Sequence, residues 1–331
     1  MKRGLVVGKF SPLHRGHVFI VGTALAACDE VLVLSWSQPE FPRCEAATRE
    51  RWLRTAFPAA RVLVLDPATH ALPPNDADDE TQRSFVARML DGIAWRPDWV
   101  FTSERYGDGF AAHLARHWGH AVEHVCVDLA RERFPVSGTA LRGPAAARAD
   151  WLSPQVLADL TPRVCVLGAE SSGKSTLAAA LADALDATCV AEFGREFWEQ
   201  SPPEGDVFSP AQLLTIAQEQ VRREEAACRA ARGLLVCDTS PLTTWVYAML
   251  DHGAAPDELT ALAQRRYDLA IYCASDFPFQ QDGTRRGADF SRRQAEATLE
   301  ALRTAGQPFV VAQGSLAQRV RDLTPRLAAL R

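Results

Sequence analysis

Two short stretches carry residue types at spacings suited to phosphate chemistry. The first is Gly8-Lys9-Phe10-Ser11-Pro12-Leu13-His14-Arg15-Gly16-His17, behind the apolar run Leu5-Val6-Val7. The second is Gly168-Ala169-Glu170-Ser171-Ser172-Gly173-Lys174-Ser175-Thr176, behind Val164-Cys165-Val166-Leu167. The second fits G-x-x-x-x-G-K-[ST], a loop whose backbone N–H groups cradle phosphates while its lysine reaches the outer ones. Gly168, Ser171, Ser172, Gly173, Lys174, Ser175 and Thr176 are therefore candidate nucleotide-binding residues, with the Ser175 hydroxyl as a ligand for Mg²⁺. The first stretch is shorter as a string, two histidines around a glycine at the start of a helix. Helix N-termini attract anions through unsatisfied N–H groups and the macrodipole. Paired imidazoles there suit transfer at the α-phosphate of a nucleoside triphosphate, where preorganised donors stabilise developing charge. Alignment of two phosphorylated substrates supplies most of the rest. Two such loops in one chain point to ATP used twice, in two different phosphorus reactions.

Other residues fit the same chemistry. Val136-Ser137-Gly138-Thr139-Ala140-Leu141-Arg142 follows the last strand of the first half. Ser137 and Thr139 can cap a helix and bind a triphosphate, and Arg142 offers a forked set of donors; the plainer reading is a capped linker helix. In the second half, Leu234-Leu235-Val236-Cys237-Asp238 brings an acid to the end of an apolar strand. Asp238 either reaches Mg²⁺ or caps the following helix, a role for which Thr239 and Ser240 compete. Asp282-Gly283-Thr284-Arg285-Arg286 reads as a lid over the transferring phosphoryl group or as a solvated basic loop. His113, His117, His120 and His124 invite a metal reading, but no acid accompanies the i, i+4 pair His113/His117, and Gly119 is expected to end the helix before His120 and His124.

The elements that must hold these loops are legible as alternating patterns. Strand-like runs lie at Gly4–Val7, Val31–Trp36, Arg61–Asp66, Trp99–Thr102 and Ala121–Val127, with helical stretches at Gly16–Cys28, Glu45–Phe57, Thr81–Trp95 and Phe110–Trp118. The second half repeats the rhythm with strands near 163–167, 187–192, 233–238, 268–273 and 308–312. The expected fold class is α/β, two doubly wound parallel-sheet domains with sites at the strand C-terminal ends. The expected boundaries are a first domain carrying the H-x-G-H loop at 1–145, a linker at 146–162 and a P-loop domain at 163–331. The patch Asn75–Glu80 reads as a solvated acidic loop before a helix.

Composition sets bounds. The 331 residues suffice for two ordinary cores, and 47% hydrophobic with 23% charged residues is that of a soluble globular protein. A net charge of −5 argues against coating nucleic acid or a membrane surface. No apolar run approaches the ~18 residues of a spanning helix. Eight cysteines without a C-x-x-C pair suggest reduced thiols in a cytoplasm rather than disulfides or a zinc site.

The G-x-F-x-P-x-H-x-G-H loop with its downstream S-x-T-x-x-R resembles the HxGH nucleotidyltransferases, and Phe101-Thr102-Ser103-Glu104 resembles the segment before their adenosine pocket. Joined to a C-terminal P-loop kinase, residues 3 to 325 resemble the bifunctional nicotinamide-mononucleotide adenylyltransferase/ribosylnicotinamide kinase family of NadR type. The resemblance implies that Gly8, Lys9, Phe10, His14 and His17 hold ATP, with both histidines catalytic, and that Ser137, Thr139 and Arg142 bind its phosphates. Arg51 sits where such enzymes often place a basic helix residue. In the kinase, Ala191-Glu192-Phe193-Gly194-Arg195-Glu196 is similar to the family's segment after the second strand. Lys174 and Asp238 are its implied catalytic residues together with Glu192, which would orient or deprotonate a ribose hydroxyl. Arg195, Arg285 and Arg286 would contact substrate phosphates; the open alternative for Glu192 and Arg195 is an ordinary surface ion pair.

The implied reactions are phosphorylation of nicotinamide riboside to the mononucleotide NMN, then adenylyl transfer from ATP to NMN, giving NAD and pyrophosphate. The implied ligands are small molecules with Mg²⁺ as cofactor and no membrane; a homo-oligomer stays open. Larger family members carry an N-terminal helix-turn-helix and repress transcription. Here the first strand begins within five residues of Met1, so no DNA-binding module is expected. Two alternatives remain: the same reaction types on another vitamin riboside or phosphate, and a nucleotide-sensing regulator with little turnover. The intact His14, His17, Lys174 and Asp238 weigh against the second.

Overall fold

The computed structural model describes all residues except 144–147, 204, 206, 232 and 281–285. The chain divides into two units, Met1–Leu160 and Thr161–Arg331. In the first, strands β1 (Arg3–Gly8), β2 (Glu30–Ser35), β3 (Arg61–Val64), β4 (Trp99–Thr102) and β5 (Glu123–Cys126) alternate with helices α1 (Arg15–Ala27), α2 (Ala46–Ala56), α3 (Asp79–Gly92) and α4 (Tyr106–Trp118). Three short helices follow: α5 (Gly138–Arg142), α6 (Arg148–Trp151) and α7 (Pro154–Leu160).

The first sheet has the order β3-β2-β1-β4-β5, with every pairing parallel. Because a strand alternates faces, neighbours in sequence enter different cores. Val6, Val31, Val33 and Phe101 pack with Ile20, Val21, Trp52 and Leu53 of α1 and α2. Leu5, Leu32, Leu34 and Val100 pack on the other face with Phe85, Leu90, Phe110 and Leu114 of α3 and α4. Covering both faces is what lets such strands be continuously apolar, each large side chain adding roughly 1.5–3 kcal/mol. The stretch expected as a linker carries α6 and α7, and its Leu152, Val156, Leu157 and Leu160 are buried in the first of these cores.

The second unit contains β6 (Arg163–Gly168), β7 (Thr188–Val190), β8 (Leu235–Asp238), β9 (Leu269–Cys273) and β10 (Phe309–Ala312). Its helices are α8 (Lys174–Leu185), α9 (Phe193–Gln200), α10 (Pro210–Cys228), α11 (Pro241–His252), α12 (Asp257–Ala263), α13 (Ala288–Thr304) and α14 (Leu316–Ala328). The sheet order is β10-β9-β6-β8-β7, again all parallel. Val164, Val166, Val236 and Ile271 pack against Leu177, Leu181, Leu323 and Leu327 of α8 and α14. The long α10 opens on a capping box of Ser209 and Gln212 with Pro210 behind it, the residue types that begin a helix. Among the described residues no helix is long and apolar enough to cross a membrane. All eight cysteines are free thiols, Cys44, Cys165, Cys228, Cys237 and Cys273 being buried.

Candidate active sites

In the first unit a cavity of about 500 Å³ opens beyond the carboxyl ends of β1 and β4, where the strand order reverses. Gly8, Lys9, Phe10, His14, His17, Ser137, Thr139 and Arg142 all line it. His14 is the N-cap of α1, and its ring accepts the His17 N–H at 3.4 Å. The His17 Nδ1 accepts the His14 N–H at 3.5 Å, so the two histidines form a reciprocal capping box. Their rings stack with centroids 3.7 Å apart and 21° between planes, and Phe10 meets His17 edge-on at 4.8 Å. A Cβ on Gly16 would lie 3.1 Å from the His14 ring, a tight approach that would press the ring from its place over the helix start.

Burial, helped by the nearby Arg131 charge, holds the His14 imidazole down at about 4. Burial also pushes His17 well below the usual range, with His14 and then Arg131 adding to it. Both rings are therefore neutral at pH 7. Each Nδ1 lies within reach of the other residue's backbone N–H, which favours the proton on Nε2, and the His17 ring also meets the Pro12 carbonyl. A neutral imidazole keeps one N–H, so each ring can still act as a single hydrogen-bond donor.

The cations of this cavity are tied to the loops that carry them. Arg142 donates to the Ser11 carbonyl and, at 3.0 Å, to the Thr139 hydroxyl, and it lies 3.8 Å over the Phe41 ring. Ser137 caps α5 by accepting the Ala140 N–H at 3.2 Å. The Lys9 ammonium donates to the Asn75 carbonyl at 3.1 Å, and burial followed by the Arg142 charge lowers its pKa. Asn75, Ala77 and Asp79 also line the cavity, so the acidic patch read as a solvated loop is part of this wall. Arg51 points away to Asp159 at 2.8 Å, half of its side chain exposed. The buried basic residue of α2 is Arg49, which donates to Ser35 Oγ at 2.8 Å, to Glu40 at 2.9 Å and to the Lys9 carbonyl at 3.4 Å. The histidines weighed for a metal end on separate partners: His113 by Glu80, His117 on Asp91, His120 on the Pro97 carbonyl and His124 between Thr102 and Asp108.

The second unit has a cavity of about 530 Å³ at the ends of β6, β7 and β8. Ser171, Ser172, Gly173, Lys174, Ser175, Thr176, Glu192, Arg195, Asp238 and Arg286 line it. Gly168 starts the loop at φ +147°, where a Cβ would meet the Cys273 carbonyl and Ser172 Oγ at 2.8 Å. Ser171, a non-glycine at φ +64°, turns the chain so that Lys174 opens α8, its ammonium folded onto the Ala169 carbonyl at 2.9 Å. These are the features of an anion-binding nest at a helix N-terminus.

Two acids face this loop. Asp238 is buried and its Oδ1 has no hydrogen-bond partner among the described residues. Burial raises its carboxyl, opposed by a hydrogen bond from Ser175 and by the Lys174 and Arg195 charges. Ser240, not Asp238, caps α11, accepting the Leu242 N–H at 3.3 Å. Glu192 stands at the N-cap position of α9 without making a cap bond. Burial raises its pKa too, Lys174 opposing, Asp238 reinforcing and Arg195 opposing. Arg286 lines the cavity, but its guanidinium is paired with Asp251. Arg285 lies outside the described residues.

Several site residues escaped sequence reasoning. Arg131, at φ +52°, lines the first cavity and pairs with Glu104 at 2.8 Å across the loops after β4 and β5. In the second unit, buried Arg319 of α14 donates to the Ser172 carbonyl at 3.0 Å and holds the loop from behind. Glu170 and Tyr247 line the second cavity and are joined at 2.9 Å. Only Arg49 left a readable signal, since it shares a helix face with the apolar Trp52 and Leu53.

Comparison with known proteins follows the same division. A family model described as an AAA domain matches residues 163–319. The trifunctional NAD biosynthesis/regulator protein NadR of Salmonella typhimurium is 26% identical over 330 aligned positions, covering 93% of this chain and 78% of its own. The protein of the same name from Escherichia coli is 25% identical over 316 positions, covering 89% and 75%. Among solved structures, NadR protein in complex with NR matches with a TM-score of 0.67 at 19% identity, over 98% of this chain and 96% of that one. NadR protein in complex with NAD and AMP-PNP matches at 0.68 and 20% identity, over 99% and 96%. In sequence along most of its length, and in the fold of both units, the chain is a relative of the NadR-type proteins.

Proposed function

We propose that the chain is a bifunctional cytoplasmic enzyme of NAD biosynthesis, phosphorylating nicotinamide riboside to NMN and adenylylating NMN to NAD. The observation that carries this reading is that each unit has its own phosphate-type loop lining its own cavity, both large enough for a nucleotide. The relatives' names, and the NR, NAD and AMP-PNP in the solved neighbours, support the same ligands here.

In the kinase unit, the loop amides and Lys174 would hold the β- and γ-phosphates of ATP. The orphaned buried Oδ1 of Asp238 and the adjacent Ser175 hydroxyl are hard oxygen donors that fit Mg²⁺, whose charge would offset that of the phosphates. Glu192 would receive the proton of the riboside 5′-hydroxyl as its oxygen bonds to the γ-phosphorus and ADP leaves. Its raised pKa makes it a better proton acceptor than an exposed carboxylate. Arg195 would steady the transferring group.

In the transferase unit, a phosphate oxygen of NMN would attack the α-phosphorus of ATP while the bond to the β-phosphate oxygen breaks, releasing pyrophosphate. The Nε2 protons of His14 and His17 would meet the charge growing on the α-phosphoryl oxygens. Lys9, Ser137, Thr139 and Arg142 would hold the remaining phosphates.

Purified chain given nicotinamide riboside and ATP–Mg²⁺ should yield NMN and NAD by product mass. Lys174→Ala should abolish riboside phosphorylation while leaving NAD synthesis from NMN near wild type. Equal loss of both activities would rule out two separate sites, and turnover of a different riboside alone would rule out the substrate.

A further inference from the structure

A carboxylate inside an anion-binding loop is a cost, because it repels the phosphates that the loop amides attract. Glu170 is such a carboxylate, two residues after Gly168, and its hydrogen bonds show where it is committed. Its side chain accepts the Tyr247 hydroxyl at 2.9 Å through Oε1 and the Arg286 N–H at 2.9 Å through Oε2. Its own N–H donates to Gln294 Oε1 at 2.7 Å, and its carbonyl accepts Ser291 Oγ at 2.9 Å. Gln294 and Ser291 are buried on the inner face of α13. One residue thus ties the phosphate loop to α11, to the start of α13 and to the backbone just before it.

Those partners also form the far wall of the cavity. Tyr247 stacks on Phe290 with centroids 5.6 Å apart, and the Arg286 guanidinium lies 4.2 Å over the Phe290 ring while paired with Asp251. Tyr247 and Arg286 line the same space as Lys174 and Glu192. We infer that Glu170 is a positioning residue for phosphoryl transfer: it fixes the wall carrying Tyr247 and Arg286 at a set distance from the loop that holds the donor phosphates. This rests on the kinase reading above. In-line transfer needs the reacting atoms about 3–3.5 Å apart, and a misplacement of about 1 Å can cost roughly 10² in rate. Binding of ATP by the loop amides needs no such registration.

The test uses the full chain with ATP–Mg²⁺ and nicotinamide riboside. Glu170→Ala should lower kinase kcat by roughly 10²-fold with little change in the KM for ATP. Glu170→Gln should restore most of the turnover, since its amide oxygen can accept the Arg286 N–H and its NH₂ can donate to the Tyr247 oxygen. Gln falling as far as Ala would mean that the charge itself matters, and Ala at wild-type turnover would mean that Glu170 positions nothing; either overturns the inference. Hydrogen exchange at the Arg286 amide gives a reading without substrate: faster in Glu170→Ala, protected in Glu170→Gln. If the wild-type chain phosphorylates no riboside, the kinase reading alone falls. An Arg286 amide exchanging alike in wild type and Glu170→Ala would then still refute the positioning role.

Discussion

Acidification should weaken the first unit through His14, by an amount that its environment fixes. The imidazole is held at about 4 in the folded chain, against an ordinary value of 6.5. Between those values the unfolded chain binds more protons than the folded one, so stability rises with pH there. The contribution is fully present above 6.5 and is lost as pH falls toward 4. Only 6% of the residue is exposed, so little solvent screening reduces it. Moving from pH 7 to pH 5 should therefore cost about 2 kcal/mol from this residue. For a unit of this size that is roughly 4–8 °C in Tm. The matched variant is His14→Asn, whose side-chain oxygen can still cap α1 but does not titrate. Scanning calorimetry of both proteins at the two pH values reads His14 together with its effect on the titration of its stacked neighbour His17, the more distant titrating groups being common to both. Wild type should lose more than the variant by the stated margin. Equal losses would mean that the ring is charged or solvated in the folded chain, and the picture of a neutral, buried donor pair would be wrong.

The remaining expectations concern the two chemistries. His17→Ala should lower transferase turnover by roughly 10²–10³ with the KM for ATP little changed; a rise in KM alone would make His17 a binding residue. In the kinase, Asp238→Asn should shift the Mg²⁺ midpoint and reduce turnover without altering riboside discrimination. Glu192→Gln should impair riboside use at an unshifted midpoint, and a metal titration showing the shift in Glu192→Gln alone would reverse the two roles.

Much of the fold was readable because both sheets are covered on both faces. Runs such as Leu5-Val6-Val7 and Val164-Cys165-Val166-Leu167 are apolar at every position, and glycine-rich turns follow them. Strand order was not readable, since nothing local in β1 says that β2 and β4 flank it. The phosphate loops were legible for a backbone reason: the left-handed turn at Gly168 and the N–H-rich start of α8 demand particular residue types. Arg131, Glu170 and Arg319 answer to partners distant in sequence, 124 residues away for Glu170 and Gln294, and no spacing rule reaches that far. Arg51 is marked through the family resemblance alone. The face shared with Trp52 and Leu53 pointed to Arg49 instead, and the buried guanidinium follows that face.

The clearance above Gly16 bears on how the short H-x-G-H string should be understood. Its two histidines hold one another through backbone amides, and its glycine leaves the first ring clearance, so the three fixed letters act together. The cap takes up the amides of His17 and Val18, the latter donating to the His14 carbonyl at 3.0 Å. Among the described residues the amides of Arg15 and Gly16 have no backbone partner, which is usual for the first turn of a helix. Exchanging one of the three residues therefore disturbs the seating of its neighbours before any reaction is attempted.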